Sequence, residues 1–165
     1  MSQLSEKQDE MSDQAKRKEL KVSAIENGTV IDHIPARSVF RVISILGLNK
    51  IPNQILFGTN LESKKYGTKG IIKVSNIFFE PEEINKIALV APTATLIVIR
   101  NFEVTAKKDV VIPDSIRKVV KCFNPRCITN QEEVETRFTV IDKEEMKLHC
   151  HYCEKITARD NITFN

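Results

Sequence analysis

The chain alternates between two hydrophobic periods from Lys21 onward. Lys21-Val-Ser-Ala-Ile25 alternates polar and apolar side chains and predicts a strand. Asn27-Gly28 is a strong turn signal, and Gly28-Thr-Val-Ile-Asp-His-Ile34 predicts a second strand that Pro35 stops. Val39, Phe40, Val42, Ile43 and Leu46 recur at three- and four-residue spacing, one face of a helix ending near Gly47. Gln54–Gly58 and Lys69–Val74 predict strands on either side of a polar loop from Leu61 to Thr68. Pro81 suits the first position of a helix, with Glu82 and Glu83 near its unpaired N–H groups. Ile84, Ile87, Ala88 and Ala91 continue its apolar face until Pro92. Ala94–Val104, rich in β-branched residues, predicts a last strand region.

The order is strand, helix, strand, strand, helix, strand, with the first strand region doubled by a hairpin. It predicts an α+β domain of ferredoxin-like type, an antiparallel sheet with two helices on one face. Lys107 to Asp114 interrupts the pattern and marks a boundary, giving a first domain over 21–108 and a second over 109–165. Residues 1–20 have four basic and five acidic side chains and few apolar ones, and read as a polar, flexible tail. In the second domain the strand candidates are short: Val119–Lys121, Val134–Ile141, Met146–His149 and Asn161–Phe164. About 50 residues rarely hold together by core burial alone, so a metal or a partner is expected there.

Composition narrows the class. Of 165 residues, 41% are hydrophobic, which excludes disorder throughout. No apolar run reaches the roughly 18–20 residues that span a bilayer. The N-terminus lacks an apolar core and an acid-free arginine run, so neither a signal nor a transit peptide is expected and the default compartment is the cytoplasm. Cysteines there stay reduced, which favours metal ligands over disulfides.

All four cysteines fall in the second domain. Cys122-Phe-Asn-Pro-Arg-Cys127 and Cys150-His-Tyr-Cys153 are two tight pairs, and the gap between them is long enough for a hairpin to bring them together. Four thiolates make a closed tetrahedral site, the geometry of structural zinc, in a small all-β domain of zinc-ribbon or rubredoxin-like type. Redox chemistry at Cys150 and Cys153, or iron in place of zinc, are the alternative readings of the same residues. His149 and His151 flank Cys150, but a full set of cysteines makes them unnecessary as ligands. Phe123, Ile128, Tyr152 and Ile156 surround the metal loops as core or as a protein-docking patch, core being the commoner fate.

Charge separates the domains. Residues 109–165 hold 9 basic and 10 acidic side chains, a poor match for a nucleic-acid backbone. Residues 21–108 hold 12 against 7. The excess includes Lys69 and Lys73, four apart on one strand, and Lys107-Lys108 on another. A solvated sheet face is one reading, and a site for one small polyanion is the other. No glycine-rich phosphate loop exists, so a phosphate would meet lysine side chains. Asp32 beside His33 offers groups able to bond a ribose, or is simply a polar strand end. No Ser-His-Asp arrangement or paired carboxylates stand out, which favours a binding or regulatory protein over an enzyme.

Gly28-Thr-Val-Ile-Asp-His-Ile-Pro-Ala36, Ala91-Pro92 with Ala94-Thr95, and Cys150-x-Tyr-Cys-Glu-Lys155 strongly resemble the regulatory chains of aspartate carbamoyltransferase over about residues 20–165. The resemblance implies a non-catalytic chain in pyrimidine biosynthesis. Its first domain would bind CTP and ATP allosterically, with UTP able to act together with CTP, and pair into a homodimer. Its zinc domain would dock on the catalytic chain, in a dodecamer of six catalytic and six regulatory chains. By position, the resemblance puts Val22, Ala24 and Ile25 at the base and Asp32 and Lys73 at the ribose. It puts His33, Lys69 and Lys107 at the phosphates, with Ile99, Phe102 and Val104 closing the pocket. Ser23, Ile97 and Phe102 stand where the family's best-known pattern has an acid, an asparagine and a tyrosine.

Overall fold

A computed structural model describes residues 24–165. The tail over 1–20, Val22 and most of the strand predicted at Lys21–Ile25 lie outside the described residues; Ala24 and Ile25 belong to no strand. The first half is built from β1 (Gly28–Ile34), α1 (Val39–Ile45), β2 (Ile55–Ser63), β3 (Gly67–Ser75), α2 (Pro81–Asn85), β4 (Thr95–Arg100) and β5 (Glu103–Asp109). These strands form one antiparallel sheet in the order β2-β3-β1-β4-β5. The first four strands have the split βαβ order expected of a ferredoxin-like domain. β5 adds an edge.

Three local expectations differ from the structure. The polar stretch Leu61–Thr68 is not a loop: Leu61 pairs with Lys69, Glu62 with Thr68 and Ser63 with Gly67, so a hairpin turns only at 64–66. Ladder hydrogen bonds satisfy the backbone whether or not the side chains are apolar. Ala94–Val104 is not one strand but the start of a hairpin, because Asn101 (φ 50°) and Phe102 (φ 65°) both turn left-handed between β4 and β5. Two consecutive residues of that kind make the tight turn that matches strand twist. The second helix closes after Asn85 and continues as successive turns to Val90, while its apolar face persists. At its start the Glu80 backbone N–H donates to the Glu83 carboxylate at 3.0 Å, a capping box.

One sheet face is dry. Ile31, Ile34, Ile72, Val74 and Leu96 bury against Val39 and Val42 of α1 and against Ile84, Ile87 and Ala88. Gly70 allows this approach: a Cβ there would lie 2.0 Å from Val39 Cγ2. Gly28 (φ 142°) is equally constrained, since its Cβ would meet the Val74 carbonyl oxygen at 2.0 Å. At His33 (φ 56°) β1 bulges, and its register with β3 shifts between Ile31 and Ile34. The extra residue returns Ile34 to the core, while Asp32 stays on the other face.

The second half holds β6 (Ser115–Arg117), β7 (Val120–Lys121), α3 (Ile128–Gln131), β8 (Arg137–Asp142), β9 (Lys147–Cys150), β10 (Ile156–Thr157) and β11 (Thr163–Phe164). They form a four-stranded sheet, β10-β9-β8-β6, and a two-stranded one, β11-β7. β6, β10 and α3 carry too few residues for periodicity to reveal. Phe138, Leu148 and Val120 centre a second core that includes Cys122, Cys127 and Cys150. Ile45 and Ile112 pack against both cores and join the halves. Among the described residues, no helix is long and apolar enough to cross a membrane.

Candidate functional site

The cysteine pairs converge because the β8–β9 hairpin carries Cys150 back to β7 and α3. Cys122 follows β7, Cys127 precedes α3, Cys150 ends β9 and Cys153 lies in the turn beyond it. The four sulfurs lie within 4.8 Å of one another, and no histidine joins the group. Cys122 and Cys153 are 3.7 Å apart at sulfur, Cys127 and Cys150 3.8 Å. A disulfide would need about 2.05 Å. A tetrahedron of thiolates around zinc, with Zn–S about 2.3 Å, has edges of ~3.8 Å. The sulfurs therefore fit a single metal ion and not a pair of bridges.

Three residues missed by spacing arguments, Asn124, Thr129 and Asn130, hold this geometry. The Asn130 side-chain amide donates to the Cys122 and Asn124 carbonyls, each at 2.8 Å, and closes the first knuckle. The buried Asn124 accepts from the Arg126 N–H at 3.1 Å. The Thr129 hydroxyl donates to the Cys127 sulfur at 3.2 Å. Burial pushes the Cys122 and Cys150 thiols up. Burial also opposes ionisation of Cys153, but the Lys155 N–H, Asn124 and two neighbouring thiols overcome it and bring that thiol down to about 7. A divalent cation must displace these protons to bind. Phe123, Ile128, Tyr152 and Ile156, expected mainly as core, are instead 40–50% exposed around the knuckles. They are too close to the metal loops to reach the core, whose space Phe138 and Leu148 fill.

The second candidate site lies on the open face of the five-stranded sheet. Residues paired across antiparallel strands share a face. Val30 pairs with Lys73 and Ile97, Asp32 with Thr95, Ile97 with Lys107, and Thr95 with Asp109. Ile25, Val30 and Ile99 form a small apolar cluster there, with Ile71 and Ile97 against it. Beside it the Lys69 ammonium donates to Asp32 at 2.8 Å. Burial alone would raise the Asp32 carboxyl; Lys69, the His33 backbone N–H and nearby positive charge hold it below its ordinary 3.8. Lys73 is lowered by burial, which the Asp32 charge partly offsets.

His33 Nδ1 lies 3.3 Å from the Thr95 hydroxyl, which donates to Asp109 at 2.9 Å. Sequence reasoning missed Thr95 and Asp109, because their place beside His33 comes from the β1–β4–β5 pairing. Ile25, Asp32, His33, Lys69, Lys73, Ile99 and Lys107 thus gather on one face. Ala24 is exposed, and Phe102 and Val104 stand 63% and 61% exposed at the rim, short of a closed pocket. The Phe102 N–H donates to the Glu26 carbonyl at 2.9 Å, tying that rim to the segment carrying Ile25.

Comparison with known proteins assigns the two halves of the chain to two named domains. Residues 20–111 match the aspartate carbamoyltransferase regulatory chain, allosteric domain, and residues 114–163 match the metal binding domain of the same chain. The chain belongs to the aspartate carbamoyltransferase regulatory chain family. The regulatory chain of Parabacteroides distasonis is 52% identical over 89% of this chain and 96% of that relative. The regulatory chain of Pyrococcus horikoshii is 53% identical over 89% and 98%. The regulatory chain of Bacteroides fragilis is 53% identical over 87% and 94%. Membership makes this a regulatory and not a catalytic chain, with an allosteric and a metal-binding domain. The open sheet face belongs to the first and the cysteine tetrad to the second.

Proposed function

We propose that this chain is the nucleotide-sensing subunit of a cytoplasmic aspartate carbamoyltransferase in pyrimidine biosynthesis, binding CTP, ATP and UTP on the open sheet face. The observation that carries this reading is the chemistry gathered there. An apolar cluster at Ile25, Val30 and Ile99 suits a base, the Asp32 carboxylate and Lys73 suit a ribose, and His33, Lys69 and Lys107 suit phosphates. Residues 1–20 serve as a polar tail, 21–108 as the nucleotide-binding domain and 109–165 as the zinc-binding domain.

Cys122, Cys127, Cys150 and Cys153 would hold one zinc ion, and four thiolates leave it no open position for substrate. The ion supplies a crosslink that keeps the two knuckles in register. The half-exposed Phe123, Ile128, Tyr152 and Ile156 around them form the surface that docks on the catalytic chain. Two chains pair through their nucleotide domains, and six join six catalytic chains in a dodecamer. CTP and ATP compete for one pocket, so their opposed effects require each to favour a different quaternary state.

The test is to mix the purified chain with catalytic trimers and measure the mass of the complex and its response to CTP. Assembly with CTP-dependent activity is expected. In the same complex, Lys107→Ala should weaken CTP binding roughly fivefold to tenfold, less at high salt. Unchanged affinity by calorimetry would remove Lys107 from the site.

A further inference from the structure

The tip of the β2–β3 hairpin overhangs the phosphate end of the open face. A cavity of about 420 Å³ lies there, lined by His33, Lys65, Tyr66, Thr95, Lys107 and Asp109 among others. Its two lysines come from different hairpins, Lys65 from the turn after β2 and Lys107 from β5. Among the described residues neither makes an ion pair, whereas Lys69 is already held by Asp32 at 2.8 Å. The cavity's acid, Asp109, is occupied by the Thr95 hydroxyl. That hydrogen bond leaves the carboxylate its charge, but two ammonium groups line the cavity with this one acid, so the space keeps a net positive charge, which an anion would satisfy.

The tip is positioned rather than loose. The Tyr66 N–H donates to the Ser63 hydroxyl at 3.2 Å. The Tyr66 ring meets the His33 imidazole edge-on with centroids 6.0 Å apart. The Lys65 ammonium lies 5.3 Å from the Tyr66 ring centroid, a cation–π contact that holds it on the cavity side. His33 is the junction: it follows Asp32 in β1 and also lines the cavity.

We infer that Lys65 and Tyr66 clamp the outermost phosphates of the bound effector with Lys107, so that the hairpin tip sets this chain's preference for triphosphates over monophosphates. The inference rests on the nucleotide reading above. A monophosphate at Lys69 ends before the cavity. A triphosphate extends past His33 and meets Lys65 and Lys107 together. Tyr66 acts as a positioning residue, aiming Lys65 through its ring. Lys64, on the same turn, does not line the cavity and has no part in the clamp.

The test is calorimetry on the full chain with CTP, CMP and inorganic tripolyphosphate, for the natural protein and for Lys65→Ala, Lys65→Gln, Tyr66→Ala and Lys64→Ala. Lys65→Ala and Lys65→Gln should lose about tenfold in affinity for CTP and tripolyphosphate at low salt, and less than twofold for CMP. Tyr66→Ala should show the same selective loss at smaller size, and Lys64→Ala no selective loss. These residues are exposed, so melting temperatures should stay level and keep the comparison valid. If the natural chain binds CTP and the Lys65 variants lose nothing, or lose CTP and CMP equally, the clamp is wrong and the nucleotide reading stands. If the natural chain binds neither CTP nor tripolyphosphate, both fall together.

Discussion

The Arg41 guanidinium lies over the Phe164 ring, 4.7 Å from its centroid, and so joins α1 of the allosteric domain to the last strand of the metal-binding domain. Ile45, one turn further along α1, packs against both cores. Phe164 pairs with Val120, two residues before Cys122. The helix covering the five-stranded sheet and the strand leading to the first cysteine pair are thus in direct contact. Phe164→Ala should cost about 1–2 kcal/mol through lost packing and cation–π attraction. It should also separate one calorimetric unfolding transition into two. A single transition with unchanged midpoint would show that this contact does not couple the domains.

The contact also shows where sequence reading stops. The cores were legible because their positions obey a period: Val39 and Val42 at helical spacing, Ile72 and Val74 at strand spacing. The cysteine tetrad was legible because its spacing carries the geometry. Arg41 and Phe164 are 123 residues apart by their numbers, and nothing local links them. The turn at Asn101 and Phe102 was missed because neither is glycine, although both take left-handed backbone. Thr95 and Asp109 entered the candidate site only through strand register. Lys64-Lys65-Tyr66 read as part of a polar loop because a hairpin tip and a loop share a composition.

Removing the metal should separate the domains differently. The metal-binding core includes three of the four cysteines, so without the ion three buried sulfurs and two knuckles lose their common anchor. A chelator should unfold that domain while the five-stranded sheet, with its own core, persists. Cys150→Ser should abolish association with the catalytic chain. Burial raises Cys122 and Cys150, so protons compete with the metal and its affinity should climb with pH. Chelator titration followed by amide exchange checks both: exchange should rise after residue 114 and stay slow in β1 and β3. Uniform exchange across the chain would contradict independent cores.

The Asp32–Lys69 pair has a definite pH signature. A carboxyl lowered on folding stabilises the folded state above its ordinary value of 3.8, and that contribution is lost as pH falls through the lowered value. Asp32→Asn should therefore be less stable than the natural chain at pH 7, since it leaves the partly buried Lys69 unpaired. The difference between the two should shrink once pH drops below about 3.8. Metal loss in acid affects both proteins alike and cancels in that difference. Denaturant unfolding at several pH values measures it, and a pH-independent gap would place the origin of the effect elsewhere.

Gly70 sits where α1 rides closest to the sheet. It pairs with Ile34 beyond the β1 bulge, and a Cβ on it would come within 2.0 Å of Val39 Cγ2. Val39 is fully buried and β-branched, so its methyl cannot swing away without leaving its preferred rotamer. Gly70→Ala must therefore lift the start of α1 from the sheet, at a cost of about 1–3 kcal/mol for overpacking. The double variant Gly70→Ala with Val39→Ala should recover part of that loss, because it removes the clashing methyl while leaving some of the cavity filled. Comparing the two by denaturant unfolding isolates the clash. A double variant less stable than the sum of the single changes would show that backbone freedom at Gly70, and not its contact with Val39, is what β3 requires there.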